Sequence, residues 1–459
     1  MEQSIYSGTR VLVVGAARSG LATAEFLLAR GATVTLTDAK PEHELQPALG
    51  SLRSKAGDAR LLLELGGHRQ ESFGQCNMVV VSPGVPLSLS WLQISSRAGI
   101  PVLAEVELAS RHLKGRILGI TGSNGKTTTT VLVDELLRGA GLKSHVAGNI
   151  GVPLVSLVSA STDEDLYSTE LSSFQLEGIV GLRPAVAALL NLTPDHLDRY
   201  PGFSAYAAAK RRIFMNQQPE DAAVLNADDP ALRTLAGEVR STIFFFSRMA
   251  APDTGAFVRE GRVFYRDGSV ETGLFRVDDI LLRGEHNLEN VLAAATIALL
   301  AGAPHDSLRE TIRKFSGVEH RLEPVAEIDG VRYFNDSKAT NVDATVKSLR
   351  AFPGGIRLIA GGRDKGGDFT ALRDVVRERV RQVVLIGEAA AKIRDALAGT
   401  AEIRMAADMP AAVEICRKEA VAGDIVLLAP ACASFDMFEN YEHRGRVFKE
   451  IVLTLARSR

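Results

Sequence analysis

Short, strand-like runs, most of them rich in apolar residues, recur along the chain, separated by segments whose apolar residues return every three or four positions. The runs at 11–14, 34–37, 78–81, 117–120, 165–169, 185–190, 331–334, 356–360, 383–386 and 425–428 each fit a buried strand. The segments between them carry the spacing of amphipathic helices; Val131, Leu132, Leu136 and Leu137 are one such stripe. Apolar strands alternating with helices predict an α/β fold built on parallel sheets. The rhythm is interrupted three times. A helical segment over 105–115 ends in the polar HLKGR, residues 241–282 change to strand-like alternation with Gly turns, and a new series begins near 316–318. The expected domains are therefore 1–114, 115–317 and 318–459, with hairpins inside the second.

The most informative stretch is RILGITGSNGKTTTT, residues 116–130. A strand breaks into a Gly-containing turn, then Lys-Thr, then a helix. That order cradles phosphates, because backbone N–H groups turn inward at the positive end of the new helix. Lys126 is placed to reach terminal phosphates, and Thr127 to offer its hydroxyl to Mg²⁺. Ile120 occupies the position of the first glycine in the usual GxxxxGK[ST] pattern, so a plain strand-to-helix turn is the competing reading. Gly-Lys-Thr at the required place favours ATP.

The opening βαβ unit has Gly15 and Gly20 in its turn and Asp38 at the tip of the second strand, a Rossmann arrangement. Ala17 replaces the glycine that lets a pyrophosphate approach. A nucleotide-like ligand with phosphate and ribose is expected more than a dinucleotide, and an empty structural turn is the alternative. Ser82-Pro83-Gly84 forms a second turn on the same edge. Two strands of the central segment end in Glu170 and in Asn191–His196. Parallel pairing would bring both ends beside the phosphate loop, where a carboxylate and an imidazole are natural Mg²⁺ ligands; either residue alone would more often be a solvated loop residue. The helix expected at 204–216 has an apolar stripe of Tyr206, Ala209, Ile213 and Phe214, and Lys210 lies on it. A lysine there either snorkels to water or has a task.

Composition narrows the class. With 459 residues, 46% hydrophobic and 24% charged, and a net charge of −2, the chain reads as a soluble multidomain protein with no broad attraction to nucleic acid. Cys76, Cys416 and Cys432 have no metal-like spacing, which fits a reducing compartment. The first residues are not expected to be a secretory signal. The apolar stretch at 291–303 is too short to span a membrane, and a cytoplasmic location is expected.

Taken together, TGSNGKTTT, ELSSFQLE, NLTPDHLDRY, AAAKRRI, GEHNLENVLAA, GVEHRLE, NDSKATN, GGRDKGGDF and APACASFDMFENYEHRG resemble the Mur ligase family over nearly the whole chain. The resemblance implies three domains: a Rossmann-like one for a UDP-sugar, a central P-loop ATPase-like one, and a C-terminal Rossmann-like one that brings an amino acid. It implies an ATP-dependent amide ligase of peptidoglycan precursor synthesis, hence of cell-wall biogenesis, cell shape and division, working as a monomer. The NDSKATN and ACAS motifs, and the lack of a DNPR motif, imply D-glutamate as the amino acid and UDP-N-acetylmuramoyl-L-alanine as the acceptor, joined through an acyl phosphate. Other ligases of this type and folylpolyglutamate synthase are the nearest rivals; a nucleotide-sensing protein and a Rossmann oxidoreductase are rivals of other classes. By resemblance, Gly122, Ser123, Asn124, Gly125, Lys126, Thr127, Thr128, Asn287, Asn290, Arg321, Asp336 and Lys338 would bind ATP. Thr127, Glu170 and His196 would hold two Mg²⁺ ions, and Lys210 would join them as a carbamate formed with CO₂. Catalysis would fall to Lys126, His196 and Lys210. Ser19, Asp38, Ser82, Gly84, Asn149 and Gln175 would bind the UDP-sugar, and Thr340, Lys365, Ser434 and Tyr441 the D-glutamate.

Overall fold

Consecutive apolar residues become interior strands here because helices cover both sheet faces and every side chain of such a strand is buried. The computed structural model describes residues 5–56, 60–196, 199–282 and 284–457. Strands β1 (Arg10–Val14), β2 (Thr33–Asp38), β3 (Leu61–Leu65), β4 (Met78–Val81) and β5 (Val102–Ala104) form a parallel sheet in the order β3-β2-β1-β4-β5. Helix α1 (Arg18–Ala29) joins β1 to β2, and α2 (Glu105–Ser110) leads out of the sheet.

The second sheet contains β6 (Arg116–Thr121), β7 (Ser144–Gly148), β8 (Leu166–Glu170), β9 (Val186–Leu189), β10 (Ala222–Asn226) and β11 (Thr242–Phe246). Its order is β11-β10-β9-β6-β8-β7, all parallel. Since β6 lies between β8 and β9, the segments leaving these three strands emerge side by side at one carboxyl edge. Helices α3 (Lys126–Gly139) and α4 (Phe203–Arg211) follow β6 and β9. The hairpins expected over 241–282 begin later than anticipated. β11 is a parallel edge strand, and only β12 (Gly255–Arg259), β13 (Arg262–Asp267) and β14 (Val270–Arg276) form an antiparallel sheet. The Ala-rich α5 (Glu285–Ala301) then packs back against α3 and the second sheet.

The third sheet departs from the purely parallel arrangement expected. It comprises β15 (Glu323–Ile328), β16 (Val331–Asn335), β17 (Ile356–Gly361), β18 (Val380–Ile386), β19 (Glu402–Met405) and β20 (Ile425–Leu428), in the order β15-β16-β20-β17-β18-β19. Edge strand β15 runs antiparallel to β16. The cause is Asp329-Gly330 between them, both at positive φ (52° and 74°), a two-residue hairpin turn where a parallel neighbour would need a long crossover. Helices α6 (Val342–Arg350) and α7 (Tyr441–Arg457) complete this domain. Among the described residues no helix is long and apolar enough to cross a membrane.

The three units are not joined alike. One continuous apolar core runs from the first sheet into the second, taking in Ala104, Val106 and Leu108 beside Leu154, Leu176 and Leu182, whereas the third sheet keeps its own clusters on its two faces. Two buried carboxylates reinforce the first junction. Glu107 accepts the backbone N–H groups of Val180, Gly181 and Leu182 at 2.9, 3.0 and 2.8 Å, and Glu105 accepts that of Val155 at 2.7 Å. The other oxygen of Glu105 is buried without a partner, and burial raises this carboxyl from 4.5 to about 7. The folded protein thus keeps a proton that the unfolded chain releases, so the contribution of Glu105 to stability falls as pH rises from about 4.5 to about 7. Glu105→Gln keeps the acceptor for Val155 and removes the titration. In urea unfolding at pH 8 it should be more stable than the parent by about 1–3 kcal/mol, since one pKa unit is about 1.4 kcal/mol. The gap should close towards pH 5, and a gap independent of pH would show that Glu105 is charged in the fold.

Candidate active site

The turn after β6 is made possible by Gly125, which has φ +84°; a Cβ there would lie 2.2 Å from Asn290 Oδ1. Only glycine allows both that backbone conformation and the approach of α5 to the loop. The segment after β9 braces the turn from the other side. Asn191 Oδ1 accepts the Asn124 N–H at 2.8 Å and Asn191 Nδ2 donates to the Asn124 carbonyl at 3.1 Å. Ser123 Oγ donates to the Thr193 carbonyl at 2.8 Å and accepts the Tyr206 hydroxyl at 3.2 Å. Thr127 and Thr128 are buried in the first turn of α3, the Thr128 hydroxyl without a partner.

Positive charge is crowded around this loop. Lys126 Nζ donates to the carbonyls of Gly122 (2.8 Å) and Ser123 (2.9 Å), and Lys210 Nζ donates to the same Gly122 carbonyl at 2.8 Å. Lys210 is 2% exposed and its Nζ is turned into the site, so it does not snorkel. Burial, then the charge of Lys126, drives its amine well below the ordinary lysine value. Burial lowers Lys126 too, and brings Lys338 down to about 8. Lys338 Nζ sits 3.8 Å above the Tyr441 ring. The balancing carboxylate is Glu170, buried at the end of β8, which accepts Thr127 Oγ1 and Asn149 Nδ2 at 2.8 Å each. Burial pushes Glu170 upward, but Lys338, Lys126 and these two donors outweigh it and hold it below the usual carboxylate range. Thr127 hydroxyl and ionised Glu170 form a hard oxygen pair of the kind Mg²⁺ takes.

His196 stands beside them at φ +55°, its ring 4.9 Å from that of Phe174. Burial lowers it to about 4, so the imidazole is neutral and able to ligate a metal near neutral pH. The adjoining Leu197 and Asp198 of the NLTPDHLDRY motif lie outside the described residues. Asp195 accepts Asn341 Nδ2 at 2.9 Å and Lys365 Nζ at 3.5 Å, so the third domain is docked on the second. Two clefts open along this docking line. One is lined by Asn124, Gly125, Asn287, Asn290, Arg321, Asp336 and Lys338. In it Arg321 Nε is buried without a partner, as suits a polar ligand. The other is lined by Asp195, His196, Thr340, Asn341 and Lys365.

The residues expected to bind a UDP-sugar fall into two groups. Asp38 accepts the Ala16 and Lys40 N–H groups (2.6 and 2.8 Å), and Ser82 Oγ donates to the Gly15 carbonyl at 3.0 Å. With Ser19 in the first turn of α1 and exposed Gly84, they edge the first sheet. Asn149 and Gln175 belong to the second sheet instead: Asn149 is bonded to Glu170, and Gln175 caps the turn at Ser172 with its Nε2 buried and unpartnered. The D-glutamate set is divided as well. Thr340 and Lys365 line one cleft, but Tyr441 faces Lys338, and Ser434 is buried with its carbonyl accepting the N–H groups of Met437 and Phe438.

Comparison with known proteins bears on all three units. Residues 9–104 match the description "Mur ligase MurD-like, N-terminal domain", 120–298 "Mur ligase middle domain", and 320–432 "Mur ligase, glutamate ligase domain". The UDP-N-acetylmuramoylalanine–D-glutamate ligase of Koribacter versatilis is 47% identical over 449 residues, covering 98% of each chain. The enzyme of the same name from Acidobacterium capsulatum is 49% identical over 97% of this chain and 96% of its own. The chain belongs to the Mur ligase family. Solved structures agree at the level of the fold. A pseudomurein peptide ligase type C from Methanothermus fervidus aligns with a TM-score of 0.61 at 18% identity, covering 97% of this chain and 100% of its own. UDP-N-acetylmuramate-alanine ligase MurC from Thermotoga maritima gives 0.60 at 17%, covering 97% and 99%.

Within this Mur ligase, sequence reasoning missed several polar residues of the site: Asp195, Asn191, Asn341, Asp343 and Arg444. Asp195 is adjacent to His196 and could have been weighed with it. Arg444 shares the apolar stripe of α7 with Phe448 and Val452, the same signal that singled out Lys210. It is 1% exposed and donates to the carbonyls of Ser337 (2.9 Å) and Cys432 (3.2 Å), tying the NDSKATN and ACAS loops together. Asn191 and Asn341 stand inside the NLTPDHLDRY and NDSKATN motifs without a role assigned to either, and Asp343 lies in none of the motifs, since their partners are set by the meeting of separate segments. The crowding of charge around Gly122 yields a direct expectation. Lys126→Ala removes a cation from the phosphate loop while its helix and core stay whole, so thermal unfolding should shift little. Turnover should fall at least about a hundredfold, as for loss of one preorganised charge. Steady-state kinetics on the folded variant decides it, near-parental turnover being the contrary result.

Proposed function

We propose that this chain is an ATP-dependent ligase that joins D-glutamate to the L-alanine carboxylate of UDP-N-acetylmuramoyl-L-alanine in peptidoglycan precursor synthesis. The observation that carries the reading is a phosphate loop flanked by two clefts, in a chain alike over its whole length to ligases of that name. Residues 1–114 would take the UDP-sugar, 115–317 ATP, and 318–459 the amino acid. A monomer would be the working unit, and the cytoplasm, with its nucleotide pool and reduced thiols, would suit three free cysteines.

In this reading the L-alanine carboxylate attacks the γ-phosphorus of ATP, ADP leaves, and an acyl phosphate forms. The amine of D-glutamate then attacks the acyl carbon, and phosphate departs as the amide forms. Lys126, Lys338 and Arg321 would stabilise charge on the transferring group, and Asn287 and Asn290 would fix the nucleotide. Lys365 would receive a carboxylate of D-glutamate, a place Asp195 now takes. Thr127, Glu170 and His196 fit two magnesium ions by their chemistry, and Lys210 would join them as a carbamate. When bound, magnesium supplies positive charge to the phosphoryl group in flight. A neutral lysine amine reacts with CO₂, and Lys210, with a single carbonyl partner and a strongly depressed pKa, suits that reaction.

Two measurements test this reading. With ¹⁸O in the L-alanine carboxylate, the label should appear in released phosphate; unlabelled phosphate would exclude the acyl phosphate. Lys210→Ala should lose at least about a hundredfold in turnover while still binding ATP, and Lys210→Arg should be no better, because guanidinium forms no such carbamate. Small carboxylic acids should restore part of the Ala variant's turnover. An Arg variant as active as the parent would refute the carbamate.

A further inference from the structure

The two clefts share a wall, the first turn of α6. Asn341 caps that helix by accepting the Ala344 N–H at 2.8 Å, while its Nδ2 donates to Asp195. Val342 and Asp343 line the cleft of Thr340 and Lys365; Ala344 and Lys347 line the nucleotide cleft. Asp343 reaches through the wall. Its Oδ2 accepts Asn124 Nδ2 of the phosphate loop in a short hydrogen bond, and Thr193 Oγ1 at 3.0 Å. Lys347 Nζ, one helical turn along, lies 3.1 Å from the same oxygen. One carboxylate oxygen of the third domain therefore gathers both segments that shape the phosphate loop, the turn after β6 and the segment after β9. Within its own domain Asn124 is held through its backbone by Asn191, and its Nδ2 reaches only the Thr193 hydroxyl at 3.5 Å, so Asp343 supplies the closer hold on that side chain, from across the domain boundary.

We infer that Asp343 is a positioning residue that couples docking of the third domain, with the amino acid it carries, to the geometry of the phosphate loop through Asn124. This rests on the ligase reading above. An amino acid seated beside Thr340 and Val342 settles the first turn of α6, and Asp343 transmits that placement to the loop. ATP is then turned over at full rate only when the amine donor's domain is in place. Asp343 touches no reacting atom in this scheme. Its loss should lower kcat and leave the KM for the UDP-sugar, bound by the first domain, unchanged.

A double-mutant cycle on the full-length enzyme tests the link, with UDP-N-acetylmuramoyl-L-alanine, D-glutamate and ATP as substrates. Asp343→Ala and Asn124→Ala should each lower kcat about tenfold, and the double variant no further than the worse single one, because each removes the hydrogen bond the two share. Asp343→Asn keeps an acceptor oxygen of similar reach and should restore kcat to within about threefold of the parent. Multiplicative losses, full activity in Asp343→Ala, or an Asn variant as impaired as the Ala variant would each overturn the coupling. The Asn variant also decides the matter if the Ala variant folds poorly. If the parent itself shows no D-glutamate-dependent ATP turnover, the ligase reading fails, and the coupling of the two ligands fails with it.

Discussion

The site is organised around an excess of positive charge withdrawn from water. Lys126 and Lys210 donate to one carbonyl, that of Gly122, and Lys338 and Arg321 close in from the third domain. Against these cations stand the carboxylates Glu170 and Asp195, and Asp336 in the same cleft, whose pKa burial raises. Burial disfavours the charged form of each lysine and the neighbouring cations add to it, so all three lie below their ordinary pKa. The arrangement is costly in isolation and favourable around a polyanion. A triphosphate there would supply the negative charge the protein omits, and the same exclusion of water that depresses the lysines would strengthen each contact to a phosphate oxygen. The burial of Glu170 and its hydrogen bond from Thr127 follow from the same constraint, since some anion must remain beside the cations throughout.

The second organising fact is the unequal joining of the domains. An apolar core shared by the first two sheets does not slide without exposing its side chains, and the buried acceptors Glu105 and Glu107 would lose their donors if it did. The third domain meets the second through polar contacts at the site itself, among them Asn124–Asp343, Asp195–Asn341 and Asp195–Lys365. Water can replace each of these at small net cost. Any domain movement would therefore fall at the junction of the second and third domains, whose docking contacts lie among the groups that would hold ligands.

Much of this was legible in the sequence. Strand runs and their carboxyl ends placed the phosphate loop, Glu170 and His196 on one edge because parallel pairing leaves little choice. Lys210 was conspicuous as a charge on an apolar stripe, and packing, not spacing, decided between snorkelling and burial. What could not be read depends on contacts between distant segments. β15 turned antiparallel on a two-residue Asp-Gly turn that the apolar pattern alone overlooks, and Tyr441 went to Lys338 because α7 begins on the nucleotide side of the third sheet. Asp343 pairs with a residue more than two hundred positions away, which no local pattern encodes.

The passage from the second domain to the third ties the position of Arg321 to that of the third domain. Gly317, His320 and Leu322 all have positive φ, at 109°, 65° and 41°, and Arg321 stands between the last two. For residues other than glycine that conformation costs on the order of 1 kcal/mol or more each, so something must hold it. His320 accepts Asn335 Nδ2 at its Nδ1 (2.8 Å) and donates its backbone N–H to Glu323 (2.9 Å), which in turn is paired with Lys449 at 2.5 Å. These anchors all belong to the third domain. The strained backbone thus rides with that domain and delivers Arg321 into the nucleotide cleft from its very edge. A rotation of the third domain about Gly317 would carry Arg321 with it, so docking of that domain and the arrival of Arg321 in the cleft beside the phosphate loop would be one motion of one segment.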